Sequence, residues 1–263
     1  MTKQYATLSL EVHLDTILVV TLNRPNSGNA INSEMMVDLQ ELWQDLSVNV
    51  ENYRCIILTG AATAFCAGAD LKERKDITLD LWRIQHVPLE EAMVAMIECP
   101  IPIIAAVNGA AFGGGLELIL ASDFAYAVAT AQFSQSEVKF GIMPGAMGTQ
   151  NLPHACGIKR AKELTFTGDV FSAQEAYEWG IINKVCEPEY LMRDVLETAK
   201  KIAVNAPLAV SAAKKSINKS QSIDVISGFN FEIETYNELL TTEDRVEGIS
   251  AFNEKRKAKF IGR

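Results

Sequence analysis

The sequence predicts an α/β chain in which strand-and-helix units come first and helices come last. Three observations carry this. The runs Cys55–Gly60 and Ile103–Val107 are short and continuously apolar, as strands buried on both faces are. Amphipathic helical stretches alternate with such runs over the first part of the chain. Beyond about residue 157 the pattern is helical nearly to the end.

Residues 5–13 and 16–22 read as two strands of a hairpin around Leu14-Asp15, and residues 23–29 hold turn chemistry. A helix follows over 33–47. Asn32 or Ser33 can cap it, and Met36, Leu39, Leu42, Trp43 and Leu46 form its apolar face. After the strand at 55–60, residues 61–72 read as a loop of small residues ending in Asp70-Leu71-Lys72. Residues 73–80 are charged, and a helix over about 80–98 is broken by Pro100 and Pro102. The strand at 103–107 leads into a glycine-rich turn at 109–115 and a short apolar helix at 116–121; strands follow at 124–128 and 132–134. A helix is expected at 157–166. Ser172-Ala173-Gln174-Glu175 is a capping box opening another, which Gly180 closes. A short strand at 182–185 and helices near 189–204, 207–217, 223–240 and 243–257 complete the chain, with no repeat evident. The division this suggests is a core over 1–203 and a helical region over 204–263, meeting at Asn205-Ala206-Pro207.

Composition narrows the classes. With 48% hydrophobic and 22% charged residues, the 263-residue chain is globular rather than disordered or low in complexity. A net charge of −9 repels nucleic acid and anionic membrane. The five cysteines are odd in number and lack CxxC spacing, and there are three histidines, which argues against a disulfide framework or a zinc site. The longest apolar zone, 100–121, carries Asn108, four glycines and Glu117 and does not read as a membrane span. The N-terminus has no signal-like apolar stretch, so a soluble, cytoplasmic protein is expected.

Four stretches can carry chemistry. In Ala67-Gly68-Ala69-Asp70-Leu71-Lys72, small residues after a buried strand let a ligand approach the backbone. In residues 108–117, glycines open a helix whose first N–H groups lack intrahelical partners. With Gly114 in the first turn, Glu117 shares its face, and an acid flanked by Leu116 and Leu118-Ile119-Leu120 is hard to place in solvent. The stretch is neither a dinucleotide fingerprint nor a phosphate-binding P-loop, on spacing. Glu137, 20 residues later, reads alone as a surface acid beside Lys139, but two acids converging on one water can divide acid and base roles. No serine nucleophile stands out, and His13, His86 and His154 sit in unremarkable contexts. The basic run 255–263 fits either a helix C-terminus or a patch for phosphates.

In order and spacing these pieces resemble the crotonase superfamily, the enoyl-CoA hydratase/isomerase family, over about 18–260. The matching pieces are Leu22-Asn23-Arg24-Pro25 with Asn29-Ala30-Ile31-Asn32, Phe65 to Lys72, Ala105 to Gly109 with Gly113 to Leu118, Gln135-Ser136-Glu137 with Gly141 to Gln150, and Ser250 to Lys257. The resemblance implies a spiral of ββα units with a C-terminal helical region used in trimer contacts, trimers pairing into hexamers. It implies a coenzyme A thioester as substrate, with no separate cofactor; the charge and the Cys and His pattern add the expectation of no metal and no nucleic-acid or membrane partner.

By motif, the family's oxyanion hole maps onto the N–H groups of Ala69 and Gly114, its two water-holding glutamates onto Glu117 as base and Glu137 as acid, and a water-placing backbone position onto Gly145. Coenzyme A contacts map onto Ala67, Asp70, Leu71 and Lys72, and onto Phe252 and Lys255 reaching in from a neighbouring subunit. Two departures stand out: Asn151 where many relatives have Arg, and Ser136 where many have Pro. The acyl pocket is expected to be lined from 76–89.

Both acids favour a 2-enoyl-CoA hydratase. The rivals are an enoyl-CoA isomerase, which typically lacks the acid at position 117, other acyl-CoA reactions of the superfamily, an RNA-binding protein, which the charge disfavours, and a scaffold that keeps only the fold.

Overall fold

The protein is described from a computed structural model that covers residues 4–50, 53–75 and 77–263. The chain opens with the hairpin expected from its alternation. β1 (Leu8–His13) pairs antiparallel with β2 (Ile17–Leu22), and Leu14 and Asp15 take positive φ at the turn. Helix α1 (Ser33–Val48) follows; Asn32 is its cap, its side chain accepting the Met35 N–H.

Three ββα units then follow: β3 (Cys55–Gly60), β4 (Ala64–Cys66) and α2 (Leu79–Glu98); β5 (Ile103–Val107), β6 (Ala110–Phe112) and α3 (Gly114–Ala121); β7 (Phe124–Val128), β8 (Gln132–Ser134) and α4 (Gly148–Cys156). The first strands of the three units join one sheet of order β1-β2-β3-β5-β7-β10, parallel from β2 onward. The second strands build another, β4-β6-β8-β9. The repeat invisible in the sequence is therefore a repeat of structure. Its second strands are three residues long and carry no period of their own.

The rest of the chain comprises α5 (Ile158–Thr167), β9 (Phe171–Ser172), α6 (Ala173–Glu178), β10 (Lys184–Cys186), α7 (Leu191–Ala203), α8 (Pro207–Ser220), α9 (Val225–Leu239) and α10 (Glu243–Asn253). The capping box at Ser172 and Glu175 forms with both bonds in place.

Several expectations need correction. Residues 61–72 are not all loop, because β4 lies within them, and the glycine-rich turn at 109–115 contains β6 and the start of α3. The helical part begins at Gly148, not near 157; α4 lacks a side-chain cap and carries Pro153, so neither start signal nor composition announces it. α2 tolerates Pro88 in its interior. α10 ends at Asn253, so the basic run lies beyond the helix rather than in its last turn, and Arg256 within it is paired with Glu247 and Glu254.

All residues of β3 and β5 are buried, as continuous apolar strands between layers should be. Two asparagines hold the turn between β3 and β4. Asn29 donates from Nδ2 to the Ala61 and Ala64 carbonyls (2.9 and 2.8 Å), and Asn108 donates to Ala62 (3.0 Å) and accepts the Gly60 N–H. That clamp sets where the next stretch, Ala67 to Lys72, leaves the sheet.

Candidate active site

The ends of β4, β6 and β8 open into one cleft of about 630 Å3. Each strand delivers one part of its wall. After β4, the chain passes Ala69, which bridges in parallel to Ile31: the Ile31 N–H donates to Gly68 (2.7 Å) and the Asp70 N–H to Ile31 (2.9 Å). This pairing uses the Gly68 carbonyl and the Asp70 N–H and leaves the Ala69 N–H with no acceptor among the described residues. Gly68 takes φ +88°, and a Cβ there would stand 2.6 Å from the Phe112 carbonyl, so only glycine fits between the two strand ends.

After β6, Gly114 is the first residue of α3, and its N–H likewise has no acceptor among the described residues, as the first turn of a helix dictates. Two unpaired N–H groups thus line the same cleft, at the two positions the motifs single out.

Glu117 is one turn into α3 and 3% exposed. Its Oε1 accepts two backbone N–H bonds, from Ala146 (2.8 Å) and Gly148 (2.7 Å); Oε2 accepts none among the described residues. Burial, and next the Glu137 carboxylate, push its pKa up to about 7, against the pull of the two amides. Glu137 opens the turn after β8 and lines the same cleft, so it is not the surface acid its neighbours suggested. Gln135, wholly buried, donates to Glu137 Oε1 (3.0 Å), and burial raises the Glu137 pKa against that bond. Glu137 Oε2 is buried without a partner among the described residues. Lys139 faces Asp169 instead. Both acids therefore present one unbonded oxygen and a raised proton affinity, the arrangement needed to hold and pass a proton.

Close approach explains two glycines. A Cβ on Gly148 would lie 2.8 Å from Glu117 Oε1, and one on Gly145 would lie 3.2 Å from His86 Nε2. Gly145, Ala67 and Leu71 line the cleft. Asp70 does not; its carboxylate is spent on Arg24 (3.0 Å) and on the Lys72 and Glu73 amides, and burial is outweighed by these partners, which hold its pKa below the usual range. Lys72 is exposed beside the cleft without lining it, and Phe252 and Lys255 lie exposed elsewhere on the chain. Of the departures, Asn151 has a buried Nδ2 without partner among the described residues, and Ser136 simply precedes the turn bearing Glu137.

One side wall comes from α2: Trp82, Arg83, His86 and Leu89, all within 76–89, face the cleft, and so does Glu90. His86, read from sequence as unremarkable, donates or accepts at Nδ1 with Glu90 Oε1 (2.8 Å). Arg74 also lines the cleft and was not singled out; Phe140, Ile142 and Met143 line it too, from the stretch around Glu137 and Gly145, where no role was assigned to them. The signal for the α2 residues was their spacing, 82, 86 and 89 along one helical face.

Known proteins match this sequence and fold. The family profile described as enoyl-CoA hydratase/isomerase matches residues 13–263. A Bacillus subtilis protein, YngF, named only provisionally for that family, is 44% identical over 93% of this chain and 94% of its own. The short-chain-enoyl-CoA hydratase of Clostridium acetobutylicum is 39% identical over 92% of each. A crystal structure of enoyl-CoA hydratase from Bacillus anthracis superposes with a TM-score of 0.95 at 38% identity, covering 98% of this chain and all of that one. With the family profile spanning nearly the whole length and the ββα spiral shared with these structures, the chain is an enzyme of the enoyl-CoA hydratase/isomerase family, with the crotonase fold.

Proposed function

We propose that the protein is a 2-enoyl-CoA hydratase, adding water across the conjugated double bond to give a 3-hydroxyacyl-CoA. The observation that carries this reading is the pair Glu117 and Glu137 in one cleft, each with an unbonded carboxylate oxygen. The similar proteins named short-chain-enoyl-CoA hydratase and crotonyl-CoA hydratase, the latter 35% identical, support it.

In this reading the thioester carbonyl lies against the N–H groups of Ala69 and Gly114. Water attack at C3 places negative charge on that oxygen, and losing one such preorganised donor costs about 3–4 kcal/mol of barrier. Glu117, held through Oε1, takes a proton from water with its other oxygen. Glu137 gives a proton to C2. The backbone at Gly145 helps seat the water. The two acids interact, so their titration belongs to the pair. Coenzyme A passes Ala67, Asp70, Leu71 and Lys72, with Phe252 and Lys255 supplied by a neighbouring subunit. The exposed apolar stripe of α9 supports assembly into trimers and hexamers.

The test is loss of enoyl-thioester absorbance with crotonyl-CoA for the wild type, Glu117→Gln and Glu137→Gln. Fast loss, reduced at least about a hundredfold in each variant, is expected. No loss with crotonyl-CoA or with longer and branched enoyl-CoAs overturns the proposal. Isomerisation of a 3-enoyl-CoA that survives Glu117→Gln points to the isomerase.

A further inference from the structure

We propose that the acyl group of the substrate ends in a carboxylate, bound by the guanidinium of Arg74 in the outer part of the cleft. The inference rests on the acyl-CoA reading of the cleft and specifies its substrate class.

Arg74 lines the cleft and is only partly exposed. Its guanidinium carbon lies 4.6 Å from the centre of the Trp82 ring. No side-chain hydrogen bond or ion pair engages it among the described residues. Among the described acids, Glu73, whose charge acts on Arg74, gives one oxygen to the Ser33 N–H, Asp70 holds Arg24, and Glu90 holds His86. Arg24, Arg160, Arg193 and Arg256, by contrast, are all paired with carboxylates. A guanidinium set on an aromatic face keeps its edge donors free, and that edge matches a carboxylate with two parallel hydrogen bonds. Half-burying a cation with only the exposed Glu73 carboxylate to offset it is unfavourable, and burial accordingly outweighs Glu73 in lowering the proton affinity of Arg74; an incoming anion relieves this.

Position argues for the acyl chain. Trp82 and His86 are one turn apart on α2, roughly 6 Å along its axis. His86 Nε2 faces Gly145, next to Ala146, whose N–H holds Glu117. Arg74, stacked on Trp82, is therefore offset from the Gly145 turn by about one helical turn along α2. That separation suits a carboxylate a few bonds beyond the double bond, in an acyl chain of about five or six carbons. Leu89 and Met143 give the intervening methylenes an apolar wall.

The saturated thioesters glutaryl-CoA and butyryl-CoA separate binding from turnover. By calorimetry the wild type is expected to bind glutaryl-CoA at least about tenfold tighter, the size of one charge-assisted contact. Arg74→Met abolishes that preference, and Arg74→Lys restores part of it. In kinetics, Arg74→Met lowers kcat/KM for 4-carboxybut-2-enoyl-CoA at least about tenfold more than for crotonyl-CoA. Equal affinity of the wild type for the two thioesters overturns the proposal. So does an equal loss for both in Arg74→Met, which assigns the guanidinium to a coenzyme A phosphate. If neither thioester binds, the acyl-CoA reading itself falls; if both bind and neither enoyl-CoA is hydrated, only the hydratase reading does.

Discussion

Every residue of β3 and β5 is buried, whereas α8 buries none of its residues and α9 only Thr235. The ββα units close their own core around Trp43, Phe65 and Phe133, all wholly buried. The C-terminal helices instead leave Ile226, Phe229, Ile233, Tyr236 and Leu240 exposed along one face of α9, at spacings of three and four. Their tail is fastened to α10 and to the core: Asp244, buried, accepts the Ile261 and Gly262 amides, and Arg54 donates to the Phe260 carbonyl. One region is thus complete within the chain and carries the cleft; the other is well formed but has an apolar surface that the chain does not cover.

Close packing makes the first region intolerant. A Cβ on Gly115, in α3, would stand 2.2 Å from the Cys66 carbonyl, on the strand that leads to Ala69. Gly115→Ala is therefore expected to lower unfolding stability by about 3 kcal/mol or more, measured by urea denaturation. A variant as stable as the wild type would show that α3 and β4 are not held that tightly.

A smaller effect comes from burying an acid in the same region. Glu117 titrates in the folded chain at about 7 against 4.5 ordinarily. Between those values the folded chain holds a proton that the unfolded chain has released. Its carboxyl therefore costs nothing below the lower value and destabilises increasingly as pH rises to the upper one. Relative to Glu117→Gln, the wild type should lose on the order of 3 kcal/mol across this window. Hydration should rise through the same window as the base ionises. A constant stability difference between pH 4 and 8 would contradict the raised titration.

The same contrast decides what could be read from sequence. β3 and β5 were legible because a strand buried on both faces has no polar interruption, and Glu117 because an acid inside such a run has no solvent face to occupy. Ala69 and Gly114 were singled out by motif, and their unpaired amides follow from a parallel bridge and a helix start. β4 and β6 were not legible: three residues of small side chains have no period, and what makes them strands is pairing with segments about 45 residues away. Arg74 and His86 were missed for a related reason. Each is an ordinary polar residue locally, and only the packing of α2 along the cleft, with His86 at the Gly145 turn and Trp82 under Arg74, brings them to it.

For the C-terminal region the decisive substitution is polar. Ile226→Ser with Phe229→Ser is expected to change the stability of the isolated chain by no more than about 1 kcal/mol in total, because both side chains are exposed. Association should fall instead. Sedimentation of the wild type as a trimer or hexamer, and of the variant as a folded smaller species, would assign the uncovered face of α9 to subunit contact. An unchanged assembly would exclude that face.

The smallest effect sharpens the comparison most, since it repeats the first substitution in the other region. Gly228 also lies in a helix, α9, but a Cβ there would meet only Ile223, at 3.8 and 3.9 Å. Alanine is better than glycine in a helix by about 0.8–1.0 kcal/mol, so Gly228→Ala should stabilise by up to that amount where Gly115→Ala destabilises. The opposite signs would come from one carbon atom placed against a backbone carbonyl in the first case and in ordinary contact in the second. If Gly228→Ala destabilised instead, and did so only at concentrations where subunits associate, another subunit's surface would have to approach α9 at Gly228. The helix would then be as closely packed in the assembly as α3 is within the chain.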